Sequence, residues 1–162
     1  MFSVARTRRG FSLIELVIVV VIIGIIGAIA IPRMSRGAEG AADSALVANL
    51  TMLRSSLDLF ATEHGGAYPT LAQLPNALLQ YSNDVAPFTI QATKNPGAGV
   101  IYGPYLRALP AVPVGAQKGQ TAITDQAFGT ALFGWKYDPA TGAINANCTT
   151  EADVKGKAYN TY

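Results

Sequence analysis

The chain has 162 residues, room for one ordinary domain, and half of them are hydrophobic against 14% charged. Its net charge of +2 turns to −1 once Arg6, Arg8 and Arg9 are set aside, nine basic residues against ten acidic, so no basic surface points to nucleic acid. The single cysteine, Cys148, excludes an intrachain disulfide, and one histidine and one cysteine far apart offer no metal-ligand spacing.

The apolar content is concentrated near the amino terminus. From Phe11 to Ile31 runs a nearly unbroken apolar stretch, about 21 residues, which as a helix rising 1.5 Å per residue spans a bilayer core of roughly 30 Å. Its β-branched residues, Val17 to Ile23, do not oppose a helix, because lipid offers the backbone no other partner. Arg6, Arg8 and Arg9 before it favour a cytoplasmic amino terminus; Arg33 and Arg36 beyond it weaken that bias. Three readings compete: a plain anchor, a signal peptide removed at Ala28-Ile29-Ala30, and an assembly segment. Glu15 separates them. A lone carboxylate at membrane depth costs about 2.5–3.5 kcal/mol, less near the interface, and neither an anchor nor a signal gains from it. A positive partner inside an assembly would justify it.

"RRG" followed by "FSLIELVIVVVIIGIIGAIAIP" resembles the class III signal of type IV pilins and type II secretion pseudopilins. The resemblance implies that a prepilin peptidase cuts between Gly10 and Phe11 and methylates the new amino group of Phe11. The apolar helix then stays on the protein, anchors it, and later packs in the centre of a helical fibre. It also implies that Glu15 of one subunit pairs with the Phe11 amine of a neighbour and sets axial register. Each charge alone is poorly solvated in lipid, and pairing offsets part of that cost.

Beyond Pro32, Leu46, Leu50, Leu53, Leu57 and Phe60 recur at steps of four and three, one apolar stripe of a helix that Gly65-Gly66 ends. A long helix is expected from Phe11 to about His64, interrupted near Pro32, which removes one intrahelical bond. Gly24 and Gly27 loosen the stretch before it. The family resemblance implies that Gly24 to Pro32 loses helicity in a fibre; the plainer reading is close helix packing in lipid.

In the remaining chain, Thr70 with Gln73 fits a capping box, with Pro75 limiting the helical turn that follows. "QKGQTAITDQAFG", in a region (111–130) without an assigned role, reads as a surface loop. In "LFGWKYDPATGAINANC", Phe133, Trp135 and Tyr137 alternate with polar or small residues, Asp138 to Gly142 supplies a turn, and Ile144, Ala146 and Cys148 share a face. This is a hairpin able to cover the helix stripe, within about three antiparallel strands. The last residues, "VKGKAYNTY", read as loosely ordered.

"YPTLAQL", "GPYLRALP" and "FGWKYDPATGAINAN" are similar to segments of the major, G-type pseudopilin. A major pilin usually closes its carboxy-terminal region with a disulfide, which Cys148 alone cannot form. The G-type resemblance implies a calcium site near the carboxy terminus, but the tail lacks the matching tryptophan motif. Asp138, Glu151 and Asp153 are weak candidates, and Asp138 reads more simply as a turn former. His64 reads as a helix C-terminal residue, and Trp135 and Cys148 as core. No catalytic constellation or cofactor motif stands out, so the chain is read as a non-enzyme.

The expected fold is α+β: a long amino-terminal helix, half transmembrane and half amphipathic, packed on a small antiparallel head. Residues 1–10 form a leader, 11–32 the transmembrane and fibre-core helix, and 33–162 the stem and extracytoplasmic head. The expected protein is a structural subunit of a type II secretion pseudopilus in a bacterial inner membrane, single-pass, with a periplasmic head. Its expected partners are the prepilin peptidase/methyltransferase, identical subunits, minor pseudopilins and an inner-membrane assembly platform, with no nucleic acid. A type IV major or minor pilin is the near alternative, and a single-span anchored binding domain that never polymerises the distant one.

Overall fold

The computed structural model describes the backbone of residues 11–162, and the side chains of these except 30–36. The chain divides into two units, one up to Ala38 and one from Glu39 to Tyr162.

One helix, α1 (Leu13–Glu63), contributes to both units. In the first unit its apolar side chains from Leu13 to Ile29 are open to the surroundings, between 43% exposed at Val17 and 82% at Leu13. The side of Gly24 and of Gly27 where a Cβ would stand faces nothing within 4 Å. The helical assignment runs through Pro32 without a break, where the sequence reading placed an interruption. Proline removes one N–H bond, and the backbone on both sides keeps its helical course. Among the described residues no helix is long and apolar enough to cross a membrane. The apolar run with described side chains ends at Ile29, about 24 Å from Leu13 at 1.5 Å per residue.

In the second unit the stripe is the core. Leu46, Leu50, Leu53, Leu57 and Phe60 are all at most 1% exposed. The helix ends at two glycines in the left-handed region, Gly65 and Gly66 (φ 65° and 87°), and the Gly66 N–H closes the last turn on Ala61 O at 2.7 Å. A short helix, α2 (Leu74–Leu79), follows. Gln73 Oε1 accepts from both the Thr70 N–H (3.2 Å) and the Thr70 hydroxyl (2.9 Å), one arm of the expected capping box; the Gln73 N–H goes to Thr70 O (3.0 Å) instead of the hydroxyl, and Gln73 itself is the N-cap of α2. Pro75 opens α2 rather than limiting it, because a missing N–H costs nothing in a first turn.

Among the described residues, five short strands form two sheets. Strands β1 (Tyr81–Ser82) and β2 (Ile90–Gln91) pair antiparallel. Strands β3 (Ile123–Thr124), β4 (Trp135–Tyr137) and β5 (Ile144–Ala146) make the second sheet in that order. The β4–β5 hairpin has the expected register, Trp135 opposite Ala146 and Tyr137 opposite Ile144. Strand β3 was not expected: it lies in the stretch read as a loop, and it runs parallel to β4. Trp135, Tyr137, Ile144, Ala146 and Cys148 share one core with Leu46, Leu50, Leu53 and Leu57 of the stripe, while Phe60 packs with Ala77 and Phe88 in a second cluster. Two buried polar tips lock the hairpin, the Trp135 indole N–H on Pro110 O (2.8 Å) and the Tyr137 hydroxyl on Pro69 O (3.0 Å).

The carboxy-terminal segment is tied down, contrary to its loose reading. Asp43 of α1 accepts from the Tyr159 hydroxyl (2.7 Å) and the Val154 N–H (3.1 Å). Arg54 donates to Ile144 O (2.9 Å), Asn145 Oδ1 (3.0 Å) and Tyr162 O (2.5 Å). These partners lie 90 or more residues apart in sequence, so local composition did not announce them.

Candidate functional site

Glu15 sits in the first turn of α1. Its carboxylate accepts the Ser12 N–H at 3.0 Å, and Ser12 O accepts the Leu16 N–H at 3.2 Å. Ser12 and Glu15 thus form one arm of a capping box, and a carboxylate there also faces the positive end of the helix dipole. This gives Glu15 a use within its own chain, which the sequence reading denied to a plain anchor. The S-x-x-E spacing at 12–15 was the available signal. Phe11, just before the cap, is 82% exposed. Gly10 and the basic leader lie outside the described residues, as does the side chain of Pro32.

The three weak calcium candidates do not converge. Asp138 caps the hairpin turn, accepting the Ala140 N–H (3.0 Å) and the Thr141 hydroxyl (2.7 Å). Glu151 accepts the Ala116 N–H (2.9 Å) and the Thr149 N–H (3.0 Å). Asp153 accepts the Lys155 and Lys157 N–H groups at 2.8 Å each and the Tyr162 hydroxyl. Every oxygen of these carboxylates therefore has a donor from the protein. Those donors hold all three below the usual carboxylate range, led by Thr141 at Asp138, the Ala116 amide at Glu151 and the Tyr162 hydroxyl at Asp153. Among the described residues no cluster of three or more His, Cys, Asp or Glu could hold a metal ion. The residues present do not fit a calcium site.

His64 has a hydroxyl neighbour that its sequence surroundings did not suggest. Its Nε2 lies 3.0 Å from Ser82 Oγ and its Nδ1 2.6 Å from Phe60 O. The imidazole is 4% exposed and Ser82 0%, and the ring stacks on Phe60 at 3.7 Å between centroids. A nucleophile needs access and its base an orienting acid; here both groups are sealed and the second nitrogen faces a backbone carbonyl. The pair joins the end of α1 to β1. Cys148 is likewise buried, and burial first, with Glu151 second, pushes its thiol up to about 11.

Residues 5–31 match the protein-family model described as the prokaryotic N-terminal methylation motif. The matched stretch contains Gly10, Phe11, Ser12 and Glu15. No curated protein and no solved structure matches the chain. The amino-terminal segment is therefore a type IV pilin-like, prepilin-type motif, carried here by an α+β chain whose head has its own core.

Proposed function

We propose that the chain is the precursor of a fibre subunit, and specifically of a type II secretion pseudopilus. The observation that carries this reading is the methylation motif over residues 5–31, with a carboxylate, Glu15, at the start of its apolar helix. The leader is removed between Gly10 and Phe11, and the Phe11 amine is methylated. Residues 11–32 hold the subunit in the inner membrane with the head outside, and subunits then pass into a helical polymer through these segments. Prepilin peptidase, identical subunits, minor pseudopilins and an assembly platform are the partners. In the polymer, Glu15 exchanges the Ser12 N–H for the Phe11 amine of a neighbour, and Gly24, Gly27 and Pro32 ease the helix as it leaves lipid. The protein's work is mechanical, not catalytic. A lone, buried Cys148 favours pseudopilus over a pilus whose subunits close a disulfide.

A second reading draws on the cap itself. Because Glu15 is satisfied within its own chain, a single-span anchored head that never polymerises also has a use for it. The mass of the amino-terminal peptide from the native membrane tests the first step. A peptide starting at N-methylated Phe11 supports the fibre subunit. An intact leader supports the anchored head, and a start at Ile31 sinks both in favour of a secreted protein.

A further inference from the structure

Between its apolar run and its buried stripe, α1 has a stretch that neither lipid nor the core covers. The apolar run of the sequence ends at Ile31, and the buried stripe begins at Leu46. Residues 37–41 bury no side chain. Most of a helix's stability in a protein comes from packing an apolar face, and these residues pack none. Two of them are interior glycines, Gly37 and Gly40, each less favourable in a helix than alanine. The fold around them does not call for glycine. The place where a Cβ would stand faces nothing within 4 Å at either position, and neither has a positive φ. The Ser44 hydroxyl donates to Gly40 O at 2.9 Å, a bond to the carbonyl one turn back that competes with the helix ladder and often bends it. Glycine and serine together are one of the few recognised causes of a sharp bend in a helix. The boundary between the two units of the chain falls in the same stretch, between Ala38 and Glu39.

We propose that residues 37–44 are a bend point built into α1, where the helix opens locally and reversibly so that it changes direction as a subunit passes from membrane to fibre. The alanines among the glycines, Ala38, Ala41 and Ala42, are the best helix formers. They keep the stretch helical at rest, as it is in α1, while the glycines keep the cost of opening low. Each glycine favours the open form about four- to fivefold over alanine, so the pair does so about fifteen- to twenty-fivefold. This bend point is separate from Gly24, Gly27 and Pro32, which belong to the apolar run. The competing reading is that the two glycines let another helix approach closely. The readings rank substitutions differently, because a bend point responds to helix propensity and a close contact to side-chain size.

The need for a bend rests on the fibre reading; the bend point itself does not. Two pairs of substitutions in the full chain test it, Gly37→Ala with Gly40→Ala and Gly37→Asn with Gly40→Asn. Asparagine is larger than alanine and a much poorer helix former. With membrane-held subunit at normal amounts, the alanine pair is expected to lower sheared fibre mass severalfold although it strengthens the helix, and the asparagine pair to leave most of it. Undiminished fibre from the alanine pair overturns the proposal. A greater loss from the asparagine pair than from the alanine pair also overturns it and assigns the glycines to close packing. Hydrogen exchange of the full chain in detergent is a second measurement that needs no fibre. The amides of residues 41–44, whose helix bonds run to the carbonyls of residues 37–40, are expected to exchange faster than those of residues 50–57. The alanine pair is expected to slow them about fifteen- to twenty-fivefold. Exchange as slow as in the stripe, or unmoved by the alanine pair, overturns the bend point and leaves the fibre reading standing. Absence of fibre from the unsubstituted chain overturns the fibre reading, and the exchange rates then decide the bend point alone.

Discussion

Asn147 offers a sharp test of how the head is held together. Its side chain is 0% exposed and makes three hydrogen bonds at 2.8 Å that fasten the loop from Gly129 to Phe133 onto β5. Asn147→Ala strands one N–H and two carbonyls. A buried group without a partner costs about 1–3 kcal/mol, and the exposed Gly129 regains part of its loss from water. The expected destabilisation is about 3 kcal/mol. With a urea m-value of about 1.5–3 kcal/mol/M, the midpoint falls by roughly 1–2 M at unchanged slope. Fluorescence of Trp135, the one tryptophan and fully buried, reports the transition. Asn145→Ala is the control. Its amide oxygen meets only Arg54, which keeps two other acceptors, so the loss stays below about 1 kcal/mol. Equal midpoints for the two variants would refute the claim that Asn147 clamps the loop.

Two further outcomes concern the tail and the thiol. Glu151 and Asp153 have folded pKa values below their ordinary ones. Their contribution to stability is present above the usual carboxylate pKa of about 4 and is lost as pH falls through the lower folded values. Acid titration of the full chain in detergent, followed by Trp135 fluorescence, therefore shows a stability loss below about pH 4, and Asp153→Asn makes that loss shallower; an unchanged profile contradicts the assignment. Cys148, 2% exposed with its thiol pushed up to about 11, resists alkylation at pH 8 until the head unfolds. Prompt labelling of the native chain would show that the Cys148 side chain does not face the core.

Much of this architecture was legible because its signals are local. The four-and-three spacing from Leu46 to Phe60 marks a stripe that is now fully buried, and the Phe133-Trp135-Tyr137 alternation with the Asp138–Gly142 turn marks the β4–β5 hairpin. What was missed depends on distant partners. Strand β3 is two residues long, and its partner β4 lies parallel to it after an intervening loop, so neither alternation nor a tight turn betrays it. The carboxy-terminal segment is polar and looked loose, yet Asp43 and Arg54 hold it from the far end of the sequence. Pro75 was taken for a stop because its position relative to the helix start was misjudged. At the amino terminus the motif directed attention to Glu15 but hid its simpler partner, Ser12. The candidate site is thus sequence-legible as chemistry, while its resting geometry is not.

The central claim is that Glu15 works through its charge between subunits and not only as a helix cap. Glutamine retains an oxygen able to accept the Ser12 N–H, as capping boxes allow, but carries no charge; leucine loses both. The decisive measurement is the mass of sheared fibre from cells carrying Glu15→Gln beside Glu15→Leu, with membrane-held subunit quantified in parallel. Both variants are expected in the membrane at normal amounts, and both are expected to lose the fibre. Normal fibre from Glu15→Gln would contradict the account, because capping alone would then explain the carboxylate.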